Sequence, residues 1–143
     1  MRYSNFRMPV VYVLATDWRL RTAVRAELRE RGIDALGMDS AEEAGRALAR
    51  GEMPAVVVLE ANNELVGDSA RHHLGDGDLG GPARVVDLGG GLGGLVERVP
   101  TVLVASRTET VSLPTAAAVL YRPVSVGEIV AKVLELLERG QVA

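Results

Sequence analysis

Side chains able to do chemistry stand at four places in this chain, each at or just beyond the end of a short apolar run. Asp17 comes shortly after the run 10–14, Glu60 follows 55–59, Ser106 follows 101–105 and Arg122 follows 119–121. A carboxylate offers oxygens to a cation or an electrophile, a hydroxyl can donate or accept, and a guanidinium holds an anion. A second cluster, His72-His73 with Asp68, Asp76 and Asp78, carries metal-ligating residue types. Adjacent side chains on a helix point about 100° apart and rarely share one ion, so a polar surface is the expected reading there. The chain has no cysteine, which excludes disulfides, thiolate metal sites and a cysteine nucleophile.

The elements that must position these residues follow from apolar spacing. Residues 10–14 are β-branched and apolar and read as a buried strand. Thr16 or Asp17 can cap a helix over 18–31, with Leu20, Val24 and Leu28 at i, i+4 and i+8 as its buried stripe, and Gly32 closes it. Residues 33–38 form a second strand. Ser40-Ala-Glu-Glu43 is a capping box opening a helix to about residue 50, ended by Gly51. The almost unbroken apolar run 55–59 fits a strand covered on both faces. Residues 62–74 are a weaker helix candidate, and 75–94 are dense in glycine. Strand character returns at 101–105, Pro114 limits a helix over 108–117 to about a turn, and 119–121 form a last strand. Ser125-Val-Gly-Glu128 is a second capping box, opening a helix to residue 139 that Gly140 ends. Strands alternating with helices imply a parallel sheet. In open sheets of this kind the site lies at the carboxyl ends of the strands, where the four polar residues fall.

Those strand ends resemble the receiver domains of two-component response regulators. The likeness rests on Val11-Tyr-Val-Leu-Ala-Thr-Asp17, Pro54-Ala-Val-Val-Val-Leu-Glu60, Pro100-Thr-Val-Leu-Val-Ala-Ser106 and Val119-Leu-Tyr-Arg-Pro123, in that order, and covers nearly the whole chain apart from 75–94. It implies a flavodoxin-like (CheY-like) α/β fold: a doubly wound five-stranded parallel sheet, with a glycine-rich insertion over 75–94 between the third and fourth strands, in one domain spanning 1–143. In the family an acidic pair after the first strand binds Mg²⁺ and an aspartate after the third accepts a phosphoryl group. A hydroxyl residue after the fourth and a lysine before proline after the fifth contact that group. Matched residue by residue, this chain departs from the set. Ala15 and Thr16 fall where the acidic pair belongs, with Asp17 one place further. Glu60 stands at the phosphoacceptor place on a stem one methylene longer. Ala105 falls at the hydroxyl place, with Ser106 beside it, and Arg122 replaces the lysine, a planar fork in place of a point charge. Two arrangements fit this degenerate pocket. Glu60 and Arg122 form a permanent ion pair, or Glu60 turns to solvent. The readout face differs too: the stretch between Ala105 and Arg122 is shorter than the family's, and Val119 stands where an aromatic residue usually toggles.

A rival resemblance is carried by Val85-Val-Asp-Leu-Gly-Gly-Gly-Leu-Gly-Gly94, which is similar to the glycine-rich first motif of Rossmann-like methyltransferases and would imply S-adenosylmethionine. Residues 92–99 are too short for the helix that should follow, Gly93 and Gly94 weaken it further, and no acidic residue ends the next strand. A flexible insertion is the expectation.

The bulk numbers bound the function. At 143 residues, 48% of them hydrophobic and 24% charged, the chain suits one core. A net charge of −3 provides no global field towards nucleic acid or an anionic membrane. Lys132 is the only lysine beside fifteen arginines, a bias expected of a GC-rich genome, the other reading being a selected arginine surface. Arg21, Arg25 and Arg29 form a stripe beside the buried face of the first helix; Glu27 and Glu30 dilute it, and a solvated face is expected. Trp18, the only tryptophan, either covers the pocket mouth or meets a partner. With no apolar span and no secretory signal, a cytoplasmic protein is expected, without cofactor or metal. The function expected is a phosphorylation-independent signalling or docking module, not an enzyme, acting through an unidentified protein partner or a homodimer and without direct nucleic-acid or membrane contact. The alternative is a small-molecule sensor using the crevice at the strand ends.

Overall fold

The first apolar run, β1 (Val10–Leu14), lies in the interior of a sheet, hydrogen-bonded to a strand on each side. The computed structural model describes residues 9–61, 84–85, 91–106, 111–112 and 116–142. Within them α1 is Trp18–Glu30, β2 Asp34–Met38, α2 Ala41–Ala49 and β3 Val56–Glu60. Then come β4 (Arg84–Val85), α3 (Gly91–Arg98), β5 (Thr101–Ser106), β6 (Val111–Ser112), β7 (Ala118–Arg122) and α4 (Val126–Val142). Five strands form one parallel sheet in the order β2-β1-β3-β5-β7. This is the doubly wound architecture expected from the alternation of strands and helices.

The pleat divides the core into two layers. Tyr12, Leu14, Val57, Leu59 and Leu103 pack on one face against Ala44 and Ala47 of α2 and Leu95, Val96 and Val99 around α3. Val11, Val13, Val56, Val58, Val102 and Val104 pack on the other against Val24 and Leu28 of α1 and Ile129, Val130, Val133 and Leu136 around α4. Covering both faces requires the central strands to be apolar at every position, which is why they read as unbroken runs.

Local signals set the element ends. Asp17, rather than Thr16, caps α1, accepting from the Arg19 N–H at 3.0 Å and the Leu20 N–H at 3.5 Å. The Ser40 hydroxyl accepts from the Glu43 N–H, while the Glu43 carboxylate accepts from the Asp39 N–H. Ser125 and Glu128 close the same box reciprocally. Gly32 and Gly51 take φ of 81° and 86°, the left-handed conformation that turns the chain out of a helix.

Three expectations need correction. Gly140 does not end the last helix: its φ is not positive and α4 runs on to Val142. Residues 111–112, expected within a helical turn, are extended and pair with Arg84–Val85 in a separate two-stranded sheet. Val111 is β-branched, which disfavours helix there. Gly91–Arg98 is a helix despite its glycines, because Leu95, Val96 and Val99 bury their side chains in the core. The last four residues of the expected insertion over 75–94 are therefore helical, and apart from Arg84–Val85 the rest lies outside the described residues, as do the helix candidate 62–74 and the cluster of His72, His73, Asp68, Asp76 and Asp78.

The α1 arginines are not merely a solvated face. Arg21 donates to the Ala15 carbonyl at 2.6 Å, and Arg25 and Arg29 both reach the Ala35 carbonyl, at 3.2 and 3.5 Å. Ala35 lies on β2, the edge strand, whose outward carbonyls have no ladder partner. The guanidinium groups cover an edge that would otherwise invite another strand.

Tyr12 supplies the one buried phenol among the described residues, and its hydroxyl donates to the Glu52 carbonyl. Burial raises its pKa above 10.0; the Glu52 charge adds to this and Arg50 opposes it. Since the folded value exceeds the unfolded one, the stability it contributes is complete below about pH 10 and lost as pH rises through the raised value. Denaturant midpoints are expected to fall more steeply above pH 10 in the parent than in Tyr12→Phe, which itself loses about 1 kcal/mol at neutral pH.

Candidate functional site

The carboxyl ends of β1, β3, β5 and β7 converge on the Glu60 side chain. Glu60 is the last residue of β3, and the register aligns it with Val104 of β5. Its Oε1 accepts from the Thr16 N–H at 2.9 Å, the Thr16 hydroxyl at 3.3 Å and the Asp17 N–H at 3.3 Å. Its Oε2 accepts from Nη2 of Arg122, the last residue of β7. The carboxylate is therefore held between the loop opening α1 and the far edge of the sheet, with its side chain 9% exposed against 40% for Arg122.

Each contact has a local cause. Asp17 caps α1, and this orients the backbone at residues 16 and 17 so that its N–H groups face Glu60 as a helix N-terminus faces an anion. Ala15 is buried, with its own N–H bonded to the Met38 carbonyl, and so forms wall. Ala105 is a buried wall opposite Tyr121, and Ser106 lies half-buried opposite Arg122 in the β5–β7 register. Glutamate suits the span: its extra methylene carries one carboxylate far enough to meet donors from β1 and β7 together.

Of the residues singled out from sequence, the structure brings Thr16, Glu60 and Arg122 into contact through side chains and Asp17 through its backbone. The Asp17 carboxylate points instead into its cap. The main-chain donors of Thr16 and Asp17 were the part missed. The only sequence signal for them was the N-cap itself, which places a helix N-terminus beside the third strand's end.

No protein-family model and no curated protein sequence matches the chain. Solved structures do. A response regulator receiver protein from Burkholderia phymatum is 20% identical with a TM-score of 0.57, the match covering 91% of this chain and 95% of that one. A CheY-like response regulator receiver domain protein from Methanospirillum hungatei JF-1 is 14% identical with a TM-score of 0.60 over 96% and 100% of the two chains. The signal receiver domain of a putative Luxo repressor protein from Vibrio parahaemolyticus is 12% identical with a TM-score of 0.60 over 95% of each. The chain has the flavodoxin-like fold of response-regulator receiver domains.

The residues at its strand ends do not fit the Mg²⁺ expected of that fold. A hard cation needs several free oxygen ligands. Here Ala15 has no side-chain oxygen and its carbonyl accepts from Arg21, Oδ1 of Asp17 is engaged at the helix cap, and both Glu60 oxygens already face N–H donors, one of them cationic. Among the described residues, no three His, Cys, Asp or Glu side chains are grouped as a metal site would require.

Proposed function

We propose that this chain is a phosphorylation-independent receiver-like signalling module, working by protein–protein contact and not by catalysis. One observation carries the reading: the Glu60 carboxylate, fixed by Thr16, Asp17 and Arg122, occupies the crevice in which a receiver would take up phosphate and metal. Ala15, Thr16, Asp17, Glu60, Ala105, Ser106 and Arg122 then form a degenerate phosphoacceptor pocket holding its own internal anion. A carboxylate neutralised by a guanidinium and sharing its lone pairs with two backbone N–H groups is a poor nucleophile towards phosphorus. A ligand in the same crevice would have to displace this bridge, which makes a small-molecule sensor at that place the weaker reading.

Contact surfaces lie beside the pocket. Trp18, at the start of α1, is 60% exposed with the Arg19 guanidinium 5.5 Å from its ring centroid, and Tyr121, next to Arg122, is also exposed. An exposed tryptophan and tyrosine are the side chains that protein interfaces favour, so Trp18 reads as a partner contact rather than a cover for the pocket. Among the described residues no helix is long and apolar enough to cross a membrane, and we place the module in the cytoplasm.

The test is treatment of the ¹⁵N-labelled protein with acetyl phosphate, or with beryllium fluoride, in millimolar Mg²⁺. The amides of Thr16, Asp17 and Glu60 are expected to stay in place. Saturable shifts at those amides, or a covalent phosphoryl adduct seen by mass spectrometry, would overturn the proposal.

A further inference from the structure

The edge strand β2 lies between α1 and α2, which pack on opposite faces of the sheet, and beside it the two helices leave a cleft of about 210 Å³. Arg25, Arg46, Arg50 and Glu43 line it, over Leu36, Gly37 and Met38. Three guanidinium groups and one carboxylate give the lining two net positive charges. Their existing contacts leave Arg25 and Arg46 the more available, while Arg50 already carries a carboxylate partner. Glu43 accepts from the Asp39 N–H at 2.8 Å, and Arg50 pairs with Glu52 at 2.9 Å on the exposed surface. Arg25 uses Nε for the Ala35 carbonyl, so its terminal nitrogens remain available. Arg46 is exposed and makes no ion pair or side-chain hydrogen bond with any described residue.

The strand itself adds a donor. Along a parallel ladder the N–H and C=O of one residue point to the same side, and successive residues alternate. The Asp34 N–H and the Met38 carbonyl bond towards β1, so the backbone groups of Gly37 point away from it, to the open edge. The Ala35 carbonyl, on that same edge, is already covered by Arg25 and Arg29. Gly37 has no side chain to fill the approach, and the Arg21 stem packs against its Cα side.

We propose that this cleft is an anion site for a compact phosphate dianion, free or carried as the monoester of a small molecule, held by Arg25, Arg46 and Arg50 with the Gly37 N–H. Several guanidinium forks converging on one small cleft suit the oxygens of a phosphate group. The volume is below the roughly 300–1,000 Å³ of sites that enclose drug-sized ligands, which favours a small ester over a nucleotide. The site is separate from the Glu60 bridge and does not depend on its reading.

The full-length ¹⁵N-labelled protein is titrated with inorganic phosphate at constant ionic strength, following the Gly37 amide and the arginine Nε resonances. Saturable shifts at Gly37 and Arg46 are expected. Arg46→Gln, at an exposed position, should weaken binding at least tenfold, whereas Arg139→Gln, on α4 outside the cleft, should leave it unchanged. A parallel titration with a sugar phosphate separates the sources: tighter binding than inorganic phosphate identifies a monoester, equal or weaker binding the free ion. Shifts that fail to saturate, or that Arg46→Gln leaves intact, overturn the proposal.

Discussion

Glu60→Ala is expected to destabilise the fold by about 3 kcal/mol, a large effect for one residue at the end of a strand. Removing one partner of a buried pair usually costs 3–5 kcal/mol because a charge is left without compensation. The lower end applies because Arg122 is 40% exposed and can turn to water. The Thr16 and Asp17 N–H groups have less freedom, since Asp17 is fixed by its cap. Arg122→Ala should cost less, about 1–2 kcal/mol, because Glu60 keeps its backbone donors. The double variant should be milder than the two single losses combined, with a coupling of about 1–2 kcal/mol. Equilibrium denaturation in urea measures all three, and strict additivity would mean that the bridge does not form in solution. Glu60→Asp tests the span separately. Its shorter stem cannot reach Thr16 and Arg122 together, so stability should drop while the protein stays unresponsive to acetyl phosphate, because Ala15 and Thr16 still provide no carboxylate for Mg²⁺.

Much of this arrangement was legible in the order of residues. Strands covered on both faces have to be apolar throughout, so β1, β3 and β5 stood out as runs, and the boxes at Ser40 and Ser125 marked two helix starts. The residue types at the strand ends could be read as well, and with them the departures from a receiver at Ala15, Glu60, Ala105 and Arg122. Which way Glu60 turned could not be read. Its principal acceptor contacts on the β1 side are main-chain N–H groups, and these are the same whatever the residue, so only geometry reveals them. The arginine stripe on α1 was hidden for a related reason: its partners are main-chain carbonyls, Ala15 after β1 for Arg21 and Ala35 on the edge strand for Arg25 and Arg29, and sequence does not say which strand lies at the edge. Gly140 misled because glycine permits a left-handed turn without requiring one.

Leu95→Ala is expected to be the most damaging single truncation outside the strands, at about 3 kcal/mol. α3 spans eight residues, three of them glycine, and each glycine costs a helix about 1 kcal/mol relative to alanine. A segment so short and so poor in propensity does not hold a helix alone. It exists because Leu95, fully buried, with Val96 and Val99, docks onto the layer of Val57, Leu59 and Leu103. Removing the anchor therefore removes both the burial and the reason for the helix, and loss of helical circular dichroism should accompany the fall in the denaturation midpoint. Gly94→Ala makes the opposite test of the same idea. The position is exposed, its φ is not positive, and an added Cβ meets nothing within 4 Å. Alanine there should stabilise the protein by about 0.5–1 kcal/mol, through helix propensity and a less flexible unfolded chain. If Leu95→Ala were neutral while Gly94→Ala destabilised, residues 91–98 would not be the packed crossover helix between β3 and β5.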